Sequence, residues 1–119
     1  MGARDNARFE EIRAAPDSGE MWLGHPFRMW SSYLWFRPMD VLRPLSIPIF
    51  LAQGTADRST PVESARAMQE GFDRVGASNL TYVEYPGLDH HFSSDAGESR
   101  LIDLQEDAYA WMMQTGLLR

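Results

Sequence analysis

An uninterrupted apolar run at residues 47–52 leads into a short turn that begins with Gly54. Because the run does not alternate between apolar and polar positions, it predicts a β-strand over residues 47–53 that is covered on both faces, as strands in parallel sheets are. Residues 80–85 alternate more regularly, which indicates a second strand near a sheet edge. With a helix between them, the two strands predict a β-α-β unit whose strands are parallel.

Helical periodicity connects these strands and follows them. The pattern between the strands is preceded by a capping box from Thr60 to Glu63, with Pro61 at the first helical position. Gly76 ends this pattern. The apolar stripe of the connecting helix consists of Val62, Ala65, Met68, Phe72 and Val75. The stripe of a last helix, over residues 97–114 and expected to pack across the sheet, consists of Leu101, Leu104, Ala108, Trp111 and Met112.

The N-terminal third has weaker signals. Residues 5–15 have the pattern of a short helix or terminal arm, and aromatic residues are concentrated between residues 21 and 45. Phe27, Trp30 and Leu34 share one helical face there, and we interpret the aromatic rings as packing residues rather than as a ligand-binding cage. A brief helical turn is expected at residues 39–42. We therefore predict an N-terminal helix or arm over 1–20 and one partial α/β domain over 21–119.

Composition narrows the class of protein. The chain has 119 residues, no cysteine, a hydrophobic content of 44% and a formal net charge of -6. These values are typical of a small globular domain and disfavour nucleic acid as a partner, since phosphate binding requires clustered cations. No apolar run approaches the roughly 20 residues that span a bilayer, and no signal peptide is recognisable at the first residues. We expect a cytoplasmic protein without disulfides and without a membrane partner.

Two residues with catalytic chemistry follow the two predicted strands. Asp57 lies just beyond the first strand and His90 just beyond the second. Because parallel strands bring their carboxyl ends to the same edge of a sheet, the two side chains are expected to meet there. Either residue alone would more commonly be an ordinary loop side chain. Together, a carboxylate and a histidine form two thirds of a triad in which the imidazole takes a proton from a hydroxyl nucleophile.

The segments that carry these residues resemble the C-terminal part of an α/β-hydrolase, closest to the dienelactone-hydrolase and prolyl-oligopeptidase-like branches. In that family the pattern Pro-x-x-x-x-x-Gly-x-x-Asp-x-x-x-Pro, matched by residues 48–61, carries the triad acid. A Gly-x-x-His-x-Phe pattern, matched by residues 87–92, carries the base. The resemblance assigns the acid to Asp57 and the base to His90, with His91 at the variable position. It covers roughly the last hundred residues and implies the C-terminal part of a three-layer fold, a short parallel sheet flanked by helices.

The sequence lacks the nucleophile of this family. α/β-Hydrolases carry it in a Gly-x-Ser-x-Gly elbow upstream of the acid. The serines before Asp57 are Ser18, Ser31, Ser32 and Ser46, and none stands in such a motif. The resemblance therefore implies the C-terminal fragment of a serine hydrolase that cleaves ester or peptide bonds through an acyl-enzyme, inactive as this chain alone. The alternative is a non-catalytic, truncated hydrolase module that self-associates.

The sequence also allows predictions about cofactors, oligomeric state and substrate. A metal site built from Asp89, His90, His91 and Asp95 is a weak hypothesis, because adjacent residues point in different directions and no His-x-x-x-His pair is present. We expect neither a metal nor a cofactor. The apolar edge of a sheet that lacks its inner strands predicts a homodimer or larger assembly. A small-molecule ester or peptide would be the substrate once the missing part completes the site.

Overall fold

The computed structural model describes residues 3–118, without the side chains of residues 3–5 and 33. The chain divides into two compact units, residues 1–41 and residues 42–119. Helices occur in both units, with a small antiparallel sheet in the first and a small parallel sheet in the second. The chain is therefore a small α/β protein.

Each helix and strand that the sequence predicts is present in the structure, which also contains two short strands that were not predicted. The predicted boundary after residue 20 lies inside the first unit. The helices are α1 (Ala3–Ala14), α2 (Phe27–Leu34), α3 (Pro38–Leu42), α4 (Val62–Arg74) and α5 (Leu101–Gln114). The strands are β1 (Met21–Trp22), β2 (His25–Pro26), β3 (Ile49–Gly54) and β4 (Leu80–Tyr85).

Aromatic side chains hold the first unit together. The ring centroid of Trp22 lies 5.6 Å from that of Phe9 and 4.8 Å from that of Trp30. The indole N–H of Trp30 donates a hydrogen bond to the carbonyl oxygen of Trp22. Ile12 and Phe27, which lie near these aromatic residues in the sequence, have fully buried side chains. Phe9, Trp22 and Trp30 thus form a packed cluster, whereas Trp35 and Phe36 are 38% and 53% exposed.

Strands β1 and β2 form a hairpin that the sequence pattern did not predict. Its two-residue turn, Leu23-Gly24, has positive φ angles of 48° and 82°. Positive φ at both central residues is typical of a type I′ turn, in which Asn-Gly is the usual pair. Leucine rarely adopts this backbone because of its Cβ atom, so the usual sequence signal is absent.

The second unit is built on a parallel pair of strands, as predicted. Strands β3 and β4 pair in register from Ile49 with Leu80 to Gly54 with Tyr85. The parallel arrangement brings both carboxyl ends to one edge of the sheet. The turn that carries Asp57 and the loop that carries His90 therefore leave the sheet side by side.

Helices α4 and α5 cover opposite faces of this sheet. The ring of Trp111 in α5 lies 5.4 Å from that of Phe50, and its N–H donates to the hydroxyl of Thr81. On the other face, the guanidinium of Arg66 in α4 donates two hydrogen bonds to the carboxylate of Glu84, at 2.6 and 3.1 Å. Side chains alternate between the faces of a strand, so Thr81 and Glu84 point in opposite directions.

Strand β3 is less covered than predicted. It begins at Ile49, and Ile47, expected within it, is 58% exposed. Residues 49–52 are half-buried, and full burial is reached only at Gln53 and Gly54. The expectation of a strand covered on both faces was wrong for most of its length. The reason is that α5 buries none of its own residues completely, so it covers its face of the sheet only partly.

The start of α4 also differs from the expectation. Its N-cap residue is Pro61, and no side chain caps the helix, so the predicted capping box does not form. The N–H of Thr60 instead donates to the Asp57 carboxylate. At the other end the helix stops at Arg74, which leaves Val75 beyond the helix and 52% exposed rather than in the apolar stripe.

Helix α5 begins four residues later than predicted. The preceding segment forms a small loop closed by an isolated bridge between Ser93 and Ser99 and by a hydrogen bond from the N–H of Ser94 to the carbonyl of Glu98. Leu101, at the first helical position, is 44% exposed and does not belong to the sheet-facing stripe.

Candidate catalytic site

The turn after β3 holds the carboxylate of Asp57 in place through its own backbone. Oδ1 of Asp57 accepts hydrogen bonds from the N–H groups of Ser59 and Thr60, both at 2.8 Å. The N–H of Asp57 donates to the carbonyl oxygen of Gly54. This is the local hydrogen bonding that aspartate provides in turns. These hydrogen bonds to Oδ1 leave the second carboxylate oxygen, Oδ2, directed away from the turn.

A buried amide supports the same turn from the end of β3. Gln53 is 6% exposed, and its side-chain N–H₂ group donates to the carbonyl oxygens of Gly54 and Thr60, at 3.0 and 2.9 Å. The same nitrogen lies 3.4 Å from Oδ2 of Asp57. Sequence reasoning did not identify Gln53 as part of the site. The available signal was a polar residue at the end of an otherwise apolar strand.

Three hydrogen bonds connect the Asp57 turn to the last residue of β4 and to the loop that follows it. The N–H of Thr55 donates to the carbonyl of Tyr85 and that of Ala56 donates to the carbonyl of Leu88. The hydroxyl of Thr55 accepts a hydrogen bond from the N–H of Gly87 at 2.8 Å, where Gly87 has a φ of 73°. These contacts fix the position at which the loop presents the residues that follow Leu88.

The structure brings Asp57 and His90 together. Nδ1 of His90 lies 2.9 Å from Oδ2 of Asp57. The Asp57 side chain is 7% exposed and that of His90 is 50% exposed, so the pair has a buried acid and an accessible imidazole. Desolvation acts to raise the pKa of the Asp57 carboxyl, but hydrogen bonds from the Thr60 N–H, the His90 ring and the Ser59 N–H outweigh it and lower the pKa.

The ring of the adjacent His91 forms no hydrogen bond or ion pair with Asp57. Its ring centroid is 5.5 Å from that of His90. The backbone N–H of His91 donates a hydrogen bond to Oδ1 of Asp89. That same oxygen also accepts the N–H of Ser93, and the two N–H groups lower the pKa of the Asp89 carboxyl. Phe92 closes the turn with a φ of 57°, which is strained for an aromatic residue. The two neighbouring rings are tilted by 75° to each other, and it is the ring of His90 that contacts Asp57.

A solvent-open cavity of about 340 Å³ adjoins the imidazole of His90. We refer to it as the dyad cavity. The residues that line it are Ala56, Arg58, Ser59, Asp89, His90 and His91. A reacting group that approaches His90 from solvent would enter this space.

The four serines upstream of Asp57 show no nucleophile elbow. Ser31 and Ser32 lie within α2, where their hydroxyls donate to backbone carbonyls. Ser18 accepts the N–H of Glu20 in the loop before β1, and Ser46 lies in the loop before β3. None of the four occupies a turn from a strand into a helix, which is the position of the nucleophile in α/β-hydrolases.

Comparison with known proteins adds no assignment. No family model matches the chain, and no solved structure matches it significantly. Among residues 3–118, no three His, Asp or Glu side chains are placed to hold a metal ion together, so Asp89, His90, His91 and Asp95 do not form a ligand set. No helix of this part of the chain is long and apolar enough to cross a membrane.

Proposed function

We propose that Asp57 and His90 are the acid and the base of a serine-hydrolase triad in the C-terminal part of a three-layer α/β-hydrolase fold. The nucleophilic hydroxyl comes from a segment outside these 119 residues, and the reaction is hydrolysis of an ester or peptide bond. The observation that carries the proposal is the 2.9 Å contact between Nδ1 of His90 and Oδ2 of Asp57, at the carboxyl ends of two adjacent parallel strands.

The geometry of the pair suits general base catalysis. When Oδ2 of Asp57 accepts the proton on Nδ1, the unprotonated nitrogen of the His90 ring is Nε2. Nε2 can take the proton of a hydroxyl as its oxygen attacks a carbonyl carbon. The same proton then passes to the leaving group as the tetrahedral intermediate collapses to an acyl-enzyme, which water hydrolyses in a second cycle. The nearly buried carboxylate of Asp57 stabilises the imidazolium that exists between these transfers.

A second candidate, a non-catalytic module that self-associates, is favoured by the open edge of the parallel sheet. The N–H groups of Ile49 and Thr55 donate toward β4. Backbone N–H groups alternate in direction along a strand, so those of Phe50 and Ala52 point to the opposite edge of β3. No strand of residues 3–118 pairs with β3 at that edge. An unpaired edge of this kind is a template for pairing with a second copy of the chain.

Hydrolysis of an activated ester, p-nitrophenyl acetate, distinguishes the two candidates without requiring the absent nucleophile. If His90 is an activated base, H90A lowers the rate of hydrolysis at least about tenfold, within what general base catalysis contributes. Asp57→Asn lowers it as well, although the imidazole is retained.

The matched controls are His25→Ala and His91→Ala, which remove one imidazole each and should retain most of the rate. An equal loss in His90→Ala and His91→Ala would contradict the catalytic proposal and leave the non-catalytic module.

A further inference from the structure

The two oxygens of the Asp57 carboxylate are held by different kinds of donor. Oδ1 accepts two backbone N–H groups of its own turn, from Ser59 and Thr60. Oδ2, the oxygen that the catalytic proposal requires, is contacted by two side chains, Nδ1 of His90 at 2.9 Å and the amide nitrogen of Gln53 at 3.4 Å. The His90 side chain is half exposed, whereas Gln53 is buried, so the amide is the buried donor to this oxygen.

The hydrogen-bond partners of the Gln53 amide determine its orientation. These partners are acceptors, namely the carbonyl oxygens of Gly54 and Thr60 and the Oδ2 atom of Asp57. A flipped amide would point its oxygen at three other oxygens and would lose all of these contacts. The N–H₂ group of Gln53 therefore connects both ends of the turn with the carboxylate that the turn carries.

The donors that surround Asp57 suit a triad acid because they carry no charge. The Gln53 amide and the backbone N–H groups orient the carboxylate without neutralising it. Glu84 is a contrasting case within the chain, since its carboxylate is paired with the guanidinium of Arg66. The negative charge of Asp57 thus remains available to stabilise an imidazolium at His90.

We propose that Gln53 is a positioning residue of the dyad, whose buried amide holds Oδ2 of Asp57 opposite Nδ1 of His90. This rests on the proposed function, because it gives Gln53 a role in the same reaction. Gln53 acts through Asp57 and does not touch the substrate. The fraction of neutral His90 that carries its proton on Nδ1 depends on the amide, and so does the rate at which His90 acts as a base.

The test is Gln53→Met, which keeps an unbranched side chain of similar size and removes its donors. Two-bond ¹H–¹⁵N correlation spectra measure the tautomer ratio of neutral His90. Hydrolysis of p-nitrophenyl acetate, less the rate that remains in His90→Ala, measures the base. We expect the fraction protonated on Nδ1 to fall, and the rate to fall about twofold to tenfold, which is the range that one hydrogen bond contributes.

Gln69→Met is the matched control variant. Gln69 also donates to an aspartate four residues later in the chain, Oδ1 of Asp73 at 2.9 Å, but this hydrogen bond is exposed on α4. The variant loses the same kind of contact and should keep the wild-type tautomer ratio and rate. An unchanged ratio and rate in Gln53→Met would overturn the positioning role.

A double-mutant cycle separates positioning from a general loss of structure. If Gln53 acts through the carboxylate, Gln53→Met has no further effect on the rate in a protein that already carries Asp57→Asn. An equal additional loss in that background would overturn the positioning role and leave Gln53 as a structural support of the turn.

Asp57→Asn tests the same contact with Gln53 intact, which covers the case in which Gln53→Met does not fold. Loss of the carboxylate charge should move the side-chain N–H₂ signals of Gln53 upfield, because a charge-assisted hydrogen bond is replaced by a neutral one. The N–H₂ signals of Gln69 should not move. Unmoved Gln53 signals would overturn the proposal, since the amide would then not contact the carboxylate.

Failure of the positioning role is distinguishable from failure of the proposed function, because the tautomer ratio is measured without substrate. A ratio that changes in Gln53→Met, in a protein whose hydrolysis does not depend on His90, supports the positioning of Asp57 and overturns the hydrolase proposal. His90-dependent hydrolysis with ratio and rate unchanged in Gln53→Met overturns the positioning role alone.

Discussion

A Cβ atom on Gly54 would collide with the carbonyl oxygen of Leu88 and would lie 2.8 Å from that of Asp89. The loop that carries His90 therefore crosses the end of β3 at a distance that only glycine permits. This close approach places the backbone of Ala56 within hydrogen-bonding distance of Leu88, and through it sets the separation of Asp57 and His90.

Gly54→Ala is expected to destabilise the second unit and to separate the dyad. The added methyl group meets backbone atoms, which cannot rotate away as a flexible side chain could. Overpacking of this kind typically costs about 1–3 kcal/mol in the free energy of unfolding. Urea denaturation measures that loss, and the activated-ester rate measures the dyad. Gly19→Ala is the control, since its added Cβ has no neighbour within 4 Å. Equal stability of the two variants would show that the loop does not depend on this contact.

The ion pair between Arg66 and Glu84 predicts that the protein loses stability as the pH is lowered. The Arg66 guanidinium, with the hydroxyl of Tyr82, lowers the pKa of Glu84 from 4.5 to about 2. A carboxyl whose pKa is lowered in the folded state stabilises that state above pH 4.5, and the contribution is lost as the pH falls toward 2. The urea midpoint of the wild type should therefore fall over this interval.

Arg66→Gln should reduce that fall, because the Glu84 pKa then returns toward its ordinary value. The control is Arg74→Gln, which removes an arginine with no ion pair among the described residues. Both variants have lost one positive charge, so a difference between their pH dependences isolates the Glu84 contact. Identical profiles would contradict the assignment.

The open edge of β3 predicts self-association. Sedimentation velocity across a wide concentration range should show a dimer or larger species. Ala52→Pro removes an N–H group that points away from β4, and proline is tolerated on edge strands, so this variant should sediment as a folded monomer. Ala52→Ser keeps the N–H group and should associate as the wild type does. A wild-type protein that is monomeric at every concentration would rule out this edge as an interface.

The sequence pattern predicted the contact between Asp57 and His90 because that contact depends on topology. Strand β4 occupies its predicted residues, and β3 differs from its prediction by two residues at the start and one at the end. Once two parallel strands are recognised, the meeting of Asp57 and His90 follows from the direction of the chain. Periodicity and turn residues carry this information locally.

What the pattern missed depends on which hydrogen bonds and backbone angles the turns adopt, and periodicity does not encode these. Thr60 has the spacing of a capping residue, yet its N–H is taken by Asp57, and only the fold shows this competition. The burial of Gln53 likewise reflects the turn it supports. The Leu23-Gly24 hairpin lacks the usual turn signal, so no local rule could indicate it.

The most direct test of the account concerns the proton between Asp57 and His90. A two-bond ¹H–¹⁵N correlation spectrum distinguishes the tautomers of neutral histidine. We predict that neutral His90 carries its proton on Nδ1, where Asp57 accepts it, and that Asp57→Asn abolishes this preference. His91 should be unaffected by the substitution. A His90 ring protonated on Nε2 in the wild type would contradict the catalytic dyad, since the nitrogen required as the base would already hold a proton.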